Sequence, residues 1–216
     1  MVTADAANGW PESEVTQELL RQVGTGDGEA VNRLMERHRR ALCRMVQLRL
    51  DRALGARVDA SDIVQDVLLE ASRRLADYLR DAKVPFHLWL RELAKDHLID
   101  AHRRHRKAQR RSVDREQKKS PGFGDQSSLD LAAQLRDHEL TPAAATIRKE
   151  LEGRFFAALD QLEEEDAEIV LMRHFEHLSN SEAAQALGLS PAAAGMRHLR
   201  AIRRLRAILG EPASSD

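Results

Sequence analysis

Residues 178–201 leave the chain little choice of fold. The run Leu178-Ser-Asn-Ser-Glu-Ala-Ala-Gln-Ala-Leu-Gly-Leu-Ser-Pro-Ala-Ala-Ala-Gly-Met-Arg-His-Leu-Arg-Ala201 reads as two short helices around a tight turn. Ser179 or Ser181 can cap the first helix, and Glu182 supplies negative charge to its first turn. Ala183, Ala184 and Leu187 form an apolar stripe, and Gly188 suits a left-handed C-terminal cap. Ser190 then caps a second helix that opens on Pro191, where a missing N–H costs nothing. Leu189, between the two, is expected to be the buried hinge. From Arg197 onward the second helix is strongly basic. A helix-turn-helix has this pattern, with its second helix shaped for the major groove. An ordinary helical hairpin with a glycine cap would use the same residues.

The remainder of the chain points to helices as well. Its 216 residues suffice for one or two domains. Hydrophobic residues make up 42% but aromatics only 4%, so the cores must be built from Leu, Ala, Val and Ile. With 32% charged residues and only 11 Gly and 6 Pro, the composition favours an all-helical protein. The single cysteine, Cys43, excludes an internal disulfide. No apolar run approaches the ~20 residues of a membrane span. The opening Met-Val-Thr-Ala-Asp-Ala-Ala has neither the basic start nor the apolar core of a signal peptide. A soluble cytoplasmic protein is expected. The net charge of −1 conceals two basic stretches. Residues 102–119 hold nine Lys or Arg against two acids, and Arg197, Arg200, Arg203, Arg204 and Arg206 crowd the last helix. Two basic surfaces on a nearly neutral chain suggest one polyanion touched twice.

Taken in order, residues 1–11 lack periodicity and read as a loose tail. Ser13 can cap a short helix to Val23, and Asp27 a long one with Val31, Leu34, Met35, Leu42, Met45, Val46 and Leu50 on one stripe. His38 shares that stripe, as a core residue more naturally than as a ligand. A third helix, 61–78, buries Val64, Val67, Leu68, Ala71 and Leu75. It shows Asp62, Gln65 and Asp66 together, a spacing that a plain solvated face would share. Pro85 opens a fourth, with Phe86, Trp89, Leu90, Leu93, Ala94, Leu98 and Ala101 inside and a cationic outer half. Residues 112–140 have linker composition. Thr141-Pro142 then starts a helix expected to reach about Leu162, burying Ile147, Leu151, Phe155, Phe156, Leu159 and Leu162, and Asp166 begins the next.

Three segments, in order, resemble the sigma-70 family of bacterial RNA polymerase sigma factors, in its extracytoplasmic-function group. Asp59-Ala-Ser-Asp-Ile-Val-Gln-Asp-Val-Leu68 is similar to that family's acidic "D-hydrophobic-hydrophobic-Q-E/D-V" helix. Pro85-Phe-His-Leu-Trp-Leu-Arg-Glu-Leu-Ala-Lys-Asp-His-Leu-Ile-Asp-Ala-His-Arg-Arg104 resembles "F-x-x-W-L-x-x-I-A-x-N-x-x-x-D-x-x-R". Residues 160–206 resemble the C-terminal domain with its terminal "R-x-x-R-A" helix. The resemblance implies two small helical domains, residues 12–111 and 141–210, joined by a flexible linker over 112–140. It implies core RNA polymerase (β′ clamp helices and β flap) and promoter DNA as partners. An anti-sigma protein, which many relatives have, would be a further partner. The sequence has no Gly-rich phosphate loop and no defensible Ser/His/Asp order, so no enzymatic activity, cofactor, metal, membrane or small-molecule substrate is expected.

Residue by residue, the resemblance assigns Asp62, Gln65 and Asp66 to core polymerase. It assigns Lys95, Asp96, His97, Asp100, Arg103 and Arg104, with the loop 81–84, to the minus-ten strand. Ala193, Ala194, Arg197, His198 and Arg200 fall to the minus-thirty-five element. Two departures bear on this. Asp96 stands where the family usually has Asn, and Ala192-Ala-Ala-Gly-Met196 stands where relatives offer hydrogen-bonding side chains. Small apolar residues cannot bond base edges, although alanine can approach a thymine methyl, and Gly195 permits close backbone approach. Phosphate positioning and shape readout are therefore expected to dominate there. A stand-alone helix-turn-helix regulator is the alternative, but it would need a ligand or dimerisation module that the first domain does not display. His102/His105 and His174/His177 are spaced to pair on a metal, but no ligand set completes either site.

Overall fold

The computed structural model describes residues 9–11, 13–53, 59–113 and 142–210. Every regular element among them is an α-helix, and they fall into two compact units, considered separately below.

The first unit contains α1 (Ser13–Gly24), α2 (Gly28–Ala53), α3 (Ala60–Arg80) and α4 (Phe86–Val113). Caps fix the starts. Asp27 Oδ1 accepts from the N–H of Glu29 at 2.9 Å and of Ala30 at 3.2 Å, and Asp59 Oδ1 from that of Ser61 at 2.8 Å. The Pro85 carbonyl accepts from Leu88 and Trp89, so α4 grows directly out of the proline turn. The 3.6-residue stripes merge into one core: Leu34, Leu42, Met45 and Val46 of α2, Val64, Val67 and Ala71 of α3, Leu90 and Ala94 of α4. Fully burying each larger side chain contributes about 1.5–3 kcal/mol. Tyr78, Phe86 and Trp89 form an aromatic cluster at 4.8–5.5 Å, and the Tyr78 hydroxyl donates to the Val84 carbonyl at 3.0 Å. Those contacts pin the loop between α3 and α4.

Two features of this unit differ from expectation. Residues 9–11 are held against the domain. Trp10 packs on His38 and His87 at 6.2 and 5.8 Å between ring centroids, and Arg44 donates to the Gly9 carbonyl at 3.0 Å. His38, only 1% exposed, lies 3.2 Å from the Thr16 hydroxyl, and burial pushes its pKa down to about 3. The expected linker lies outside the described residues from 114 to 140, and α4 itself continues to Val113.

The second unit contains α5 (Pro142–Leu159), α6 (Glu164–His174), α7 (Asn180–Leu187) and α8 (Pro191–Leu209). Its core joins Ala158, Leu159, Ile169, Val170 and Leu171 to Ala184, Ala194, Ala201 and Leu205, with Phe155, Phe156 and Phe175 against it. α5 stops at Leu159, short of Leu162, although Leu162 is still buried. Leu151, expected inside, is 56% exposed, because the core begins only at Phe155. The helix expected from Asp166 starts at Glu164, with Glu163 in the capping position.

The α7–α8 hairpin forms by the local rules that its sequence states. Ser179, and not Ser181, is the cap: its Oγ accepts from the Glu182 N–H at 3.2 Å while Glu182 Oε2 accepts from the Ser179 N–H at 2.7 Å. Gly188 closes α7 at φ 65°, in the left-handed region that a side chain would strain. Ser190 Oγ accepts from the Ala193 N–H at 3.2 Å, with Pro191 at the first helical position. Leu189 is half-buried, not fully so.

Candidate functional site

Three helix faces carry the sequence-derived site residues. The first belongs to α3, where burial of Ile63, Val64, Val67 and Leu68 leaves Asp62, Gln65 and Asp66 exposed. None of the three has a hydrogen-bond or ion-pair partner among the described residues. Two carboxylates and an amide on adjacent turns make a compact acceptor surface for Arg or Lys of a partner. The same stripe continues to Leu69, 50% exposed, which sequence reasoning left out. Leu69 and Gln65 open onto a groove also lined by Asn32, Met35, Glu36 and Arg39. Its seven-residue distance from Asp62, two helical turns, is the signal that places it there.

The second face is on α4. At about 100° per residue, Lys95, Asp96, Ile99 and Arg103 share the side opposite the core. Asp96, Asp100, Arg103 and Arg104 are exposed and Lys95 half-buried. Asp100 takes part twice within the helix, with Arg103 at 3.7 Å and, through its carbonyl, with Arg104 Nε at 3.4 Å. Asp96 has no partner among the described residues. His97 does not belong with this group. It turns toward α3, its Nε2 2.7 Å from Glu70 Oε2, while Arg74 donates to the other Glu70 oxygen at 2.9 Å. Arg74 first and His97 second hold the Glu70 carboxyl below its usual pKa range. Ile99, 40% exposed between Asp96 and Arg103, is the unforeseen member of the face.

The third face is on α8, and here the sequence-derived set divides. Ala193 and Arg200 are exposed. Ala194 is fully buried in the core with Ala201 and Leu205, so it cannot touch an external ligand. Arg197 is drawn to the flank, its side chain 22% exposed and hydrogen-bonded to Glu165 of α6. Arg204 reaches Glu163 at 3.2 Å. The His198 Nε2 lies 3.0 Å from that of His174, and burial lowers the pKa of both rings, favouring the neutral forms. Gly195 faces α7: a Cβ there would meet the Asn180 side chain at 3.7 Å, so its closeness is internal and not toward a ligand. The outward positions are Ala192, Ala193, Met196, Leu199, Arg200 and Arg203. Met196 and Leu199, 57% and 41% exposed, went unforeseen.

No cluster of three or more potential metal ligands occurs among the described residues, and no helix among them is long and apolar enough to cross a membrane.

Comparison with known proteins matches both units. Residues 34–108 fit the family described as Sigma-70 region 2, and residues 153–205 that described as Sigma-70, region 4. The chain is similar to RNA polymerase sigma factor NccH of Alcaligenes xylosoxydans xylosoxydans, with 30% identity over 92% of this chain and 96% of that one. It is 24% identical to ECF RNA polymerase sigma factor BldN of Streptomyces coelicolor, over 94% of this chain and 69% of that protein. Among solved structures, CnrH in complex with the cytosolic domain of CnrY is similar in fold, with a TM-score of 0.59 at 24% identity, covering 91% of this chain and 98% of that one.

Proposed function

The chain belongs to the sigma-70 family, in its extracytoplasmic-function group, and we propose on that footing that it is an alternative sigma factor that recruits core RNA polymerase to promoters. The observation that carries this reading is the α3 face. Asp62, Gln65 and Asp66 are exposed, aligned and without partners among the described residues, as suits a docking surface for a basic helix of the polymerase. The β′ clamp helices are the assigned partner. Chemistry is left to the polymerase, and this chain contributes recognition.

On α4, Lys95, Arg103 and Arg104 supply positive charge along the path of the minus-ten strand, and Ile99 offers an apolar surface to an unstacked base. Asp96 is an acceptor only, so it repels phosphate and suits a base amino group. Asp100 sets the Arg103 and Arg104 side chains, and His97 acts from behind, tying α4 to α3 through Glu70. Extruding a base costs a few kcal/mol, which capture on this face offsets. In the second unit, α8 enters the major groove of the minus-thirty-five element, with Arg200 and Arg203 on phosphates.

Reconstituted transcription tests the reading. Core polymerase with this chain should start at defined positions on duplex genomic templates where core alone does not. Substitutions at Lys95 and Arg103 should reduce permanganate-reactive thymines more than initial duplex binding. The absence of any chain-dependent start on such templates contradicts the proposal.

A further inference from the structure

The outward face of α8 contains a contradiction that its arginine count conceals. Ala194, Ala201 and Leu205 point into the core, which fixes the phase of the helix. At about 100° per residue, the opposite side is then Ala192, Ala193, Met196 and Leu199 in the first turns, with Arg200 and Arg203 after them. Met196 is 57% exposed and Leu199 41%, the largest apolar side chains on the surface of this hairpin. The polar residues that could have read base edges are tied elsewhere: Arg197 to Glu165, Arg204 to Glu163 and His198 to His174. The N-terminal turns of the second helix, the part that meets base edges in a helix-turn-helix, therefore present methyl, methylene and thioether groups only.

Such a surface cannot distinguish the N7, O6 or amino groups of the major groove. It can meet one feature there, the C5 methyl of thymine. Arg200 and Arg203 are exposed and have no acidic partner among the described residues, so the apolar patch is flanked by charge that favours a polyanion over an apolar protein surface. We propose that Met196, flanked by Ala193 and Leu199, reads thymine methyl groups in duplex DNA and makes T·A pairs the preferred sequence of the upstream element. The proposal rests on the reading of α8 as a major-groove helix. It replaces readout by Arg197 and His198 with readout by van der Waals contact, while Arg200 and Arg203 set affinity without regard to sequence.

The test uses the full chain with core RNA polymerase. Duplexes selected from a randomised pool define the upstream element. Each thymine in it is then replaced by deoxyuracil, which removes the methyl and leaves base pairing intact. At one or two positions the replacement should weaken binding about fourfold, as expected for one buried methyl-sized group. In Met196→Ala the same replacement should have no effect, and because Met196 is exposed this variant retains its fold, checked by circular dichroism. Equal binding of thymine and deoxyuracil duplexes by the wild type overturns the proposal, as does discrimination that survives in Met196→Ala. Arg200→Ala and Arg203→Ala separate this failure from failure of the underlying reading. They should weaken all sequences alike and lower the salt slope by about one each. If they change nothing, α8 does not lie on DNA at all. A photo-crosslinker at position 196 should label DNA; labelling of a polymerase subunit instead also overturns the proposal.

Discussion

The two units solve the same problem, holding a functional helix still, by different means. In the first, α3 and α4 are anchored by Leu, Val, Met and aromatic side chains, and most of the candidate site residues stand on the exposed faces opposite that core. In the second, the fully buried side of α8 is Ala194, Ala201 and Leu205, with Ile202, Ile208 and Leu209 partly buried against the same core. Polar contacts run alongside that packing: the caps, the Arg197–Glu165 and Arg204–Glu163 pairs and the His174–His198 contact. In the first unit polarity marks most of the candidate face, with His97 diverted to Glu70 and the apolar Leu69 and Ile99 added. In the second, half of the polar residues belong to the anchoring.

The largest effects should come from the cores. Leu34→Ala or Leu171→Ala should each cost about 2–5 kcal/mol. Both tryptophans, Trp10 and Trp89, lie in the first unit, so tryptophan fluorescence during urea unfolding should report Leu34→Ala and be nearly blind to Leu171→Ala. If Leu171→Ala shifted that transition equally, the two units would not be separate folding entities.

Next comes acid sensitivity, carried in the first unit by His38 and in the second by the His174–His198 pair, whose lowered pKa values act in the same direction. Burial holds the His38 pKa down at about 3, against about 6.5 for a free imidazole, so its contribution is fully present above pH 6.5 and is lost as pH falls toward 3. The loss should be about 1.4 kcal/mol per pH unit in that window. His38→Gln should flatten the pH dependence of the fluorescence-detected midpoint. An unchanged slope would place the titrating group elsewhere.

Smaller again, Ser179→Ala and Ser190→Ala should each cost about 1 kcal/mol by removing a cap bond, seen as faster amide exchange in α7 and α8 and not in α3. The smallest effect has the opposite sign. Gly195→Ala should stabilise the second unit by up to about 1 kcal/mol, since the new Cβ meets Asn180 at ordinary contact distance.

Local rules made much of this legible. Ser190, Pro191 and Gly188 define the hairpin through their own backbone chemistry, and the stripes of α2 and α3 come directly from the 3.6-residue period. What escaped depended on long-range contacts. Three consecutive alanines have no amphipathic phase, so Ala193 and Ala194 could not be told apart until Ala201 and Leu205 fixed the buried side of α8. Arg197 and His198 read as ligand-facing because Glu165 and His174, 32 and 24 residues away in sequence, carry no local signal of contact. Trp10 sat in a stretch without periodicity, and only packing on His38 and His87 makes it part of a domain.

If, as proposed, the α3 face joins this chain to core RNA polymerase, equilibrium binding of the labelled full chain to purified core will depend on it. Asp62→Arg with Asp66→Arg should weaken association roughly 100-fold or more while leaving helix content unchanged, as expected when charges at a docking surface are reversed. Arg200→Ala with Arg203→Ala, on the other unit, should leave it unchanged. Undiminished binding by the Asp62/Asp66 variant would contradict the account.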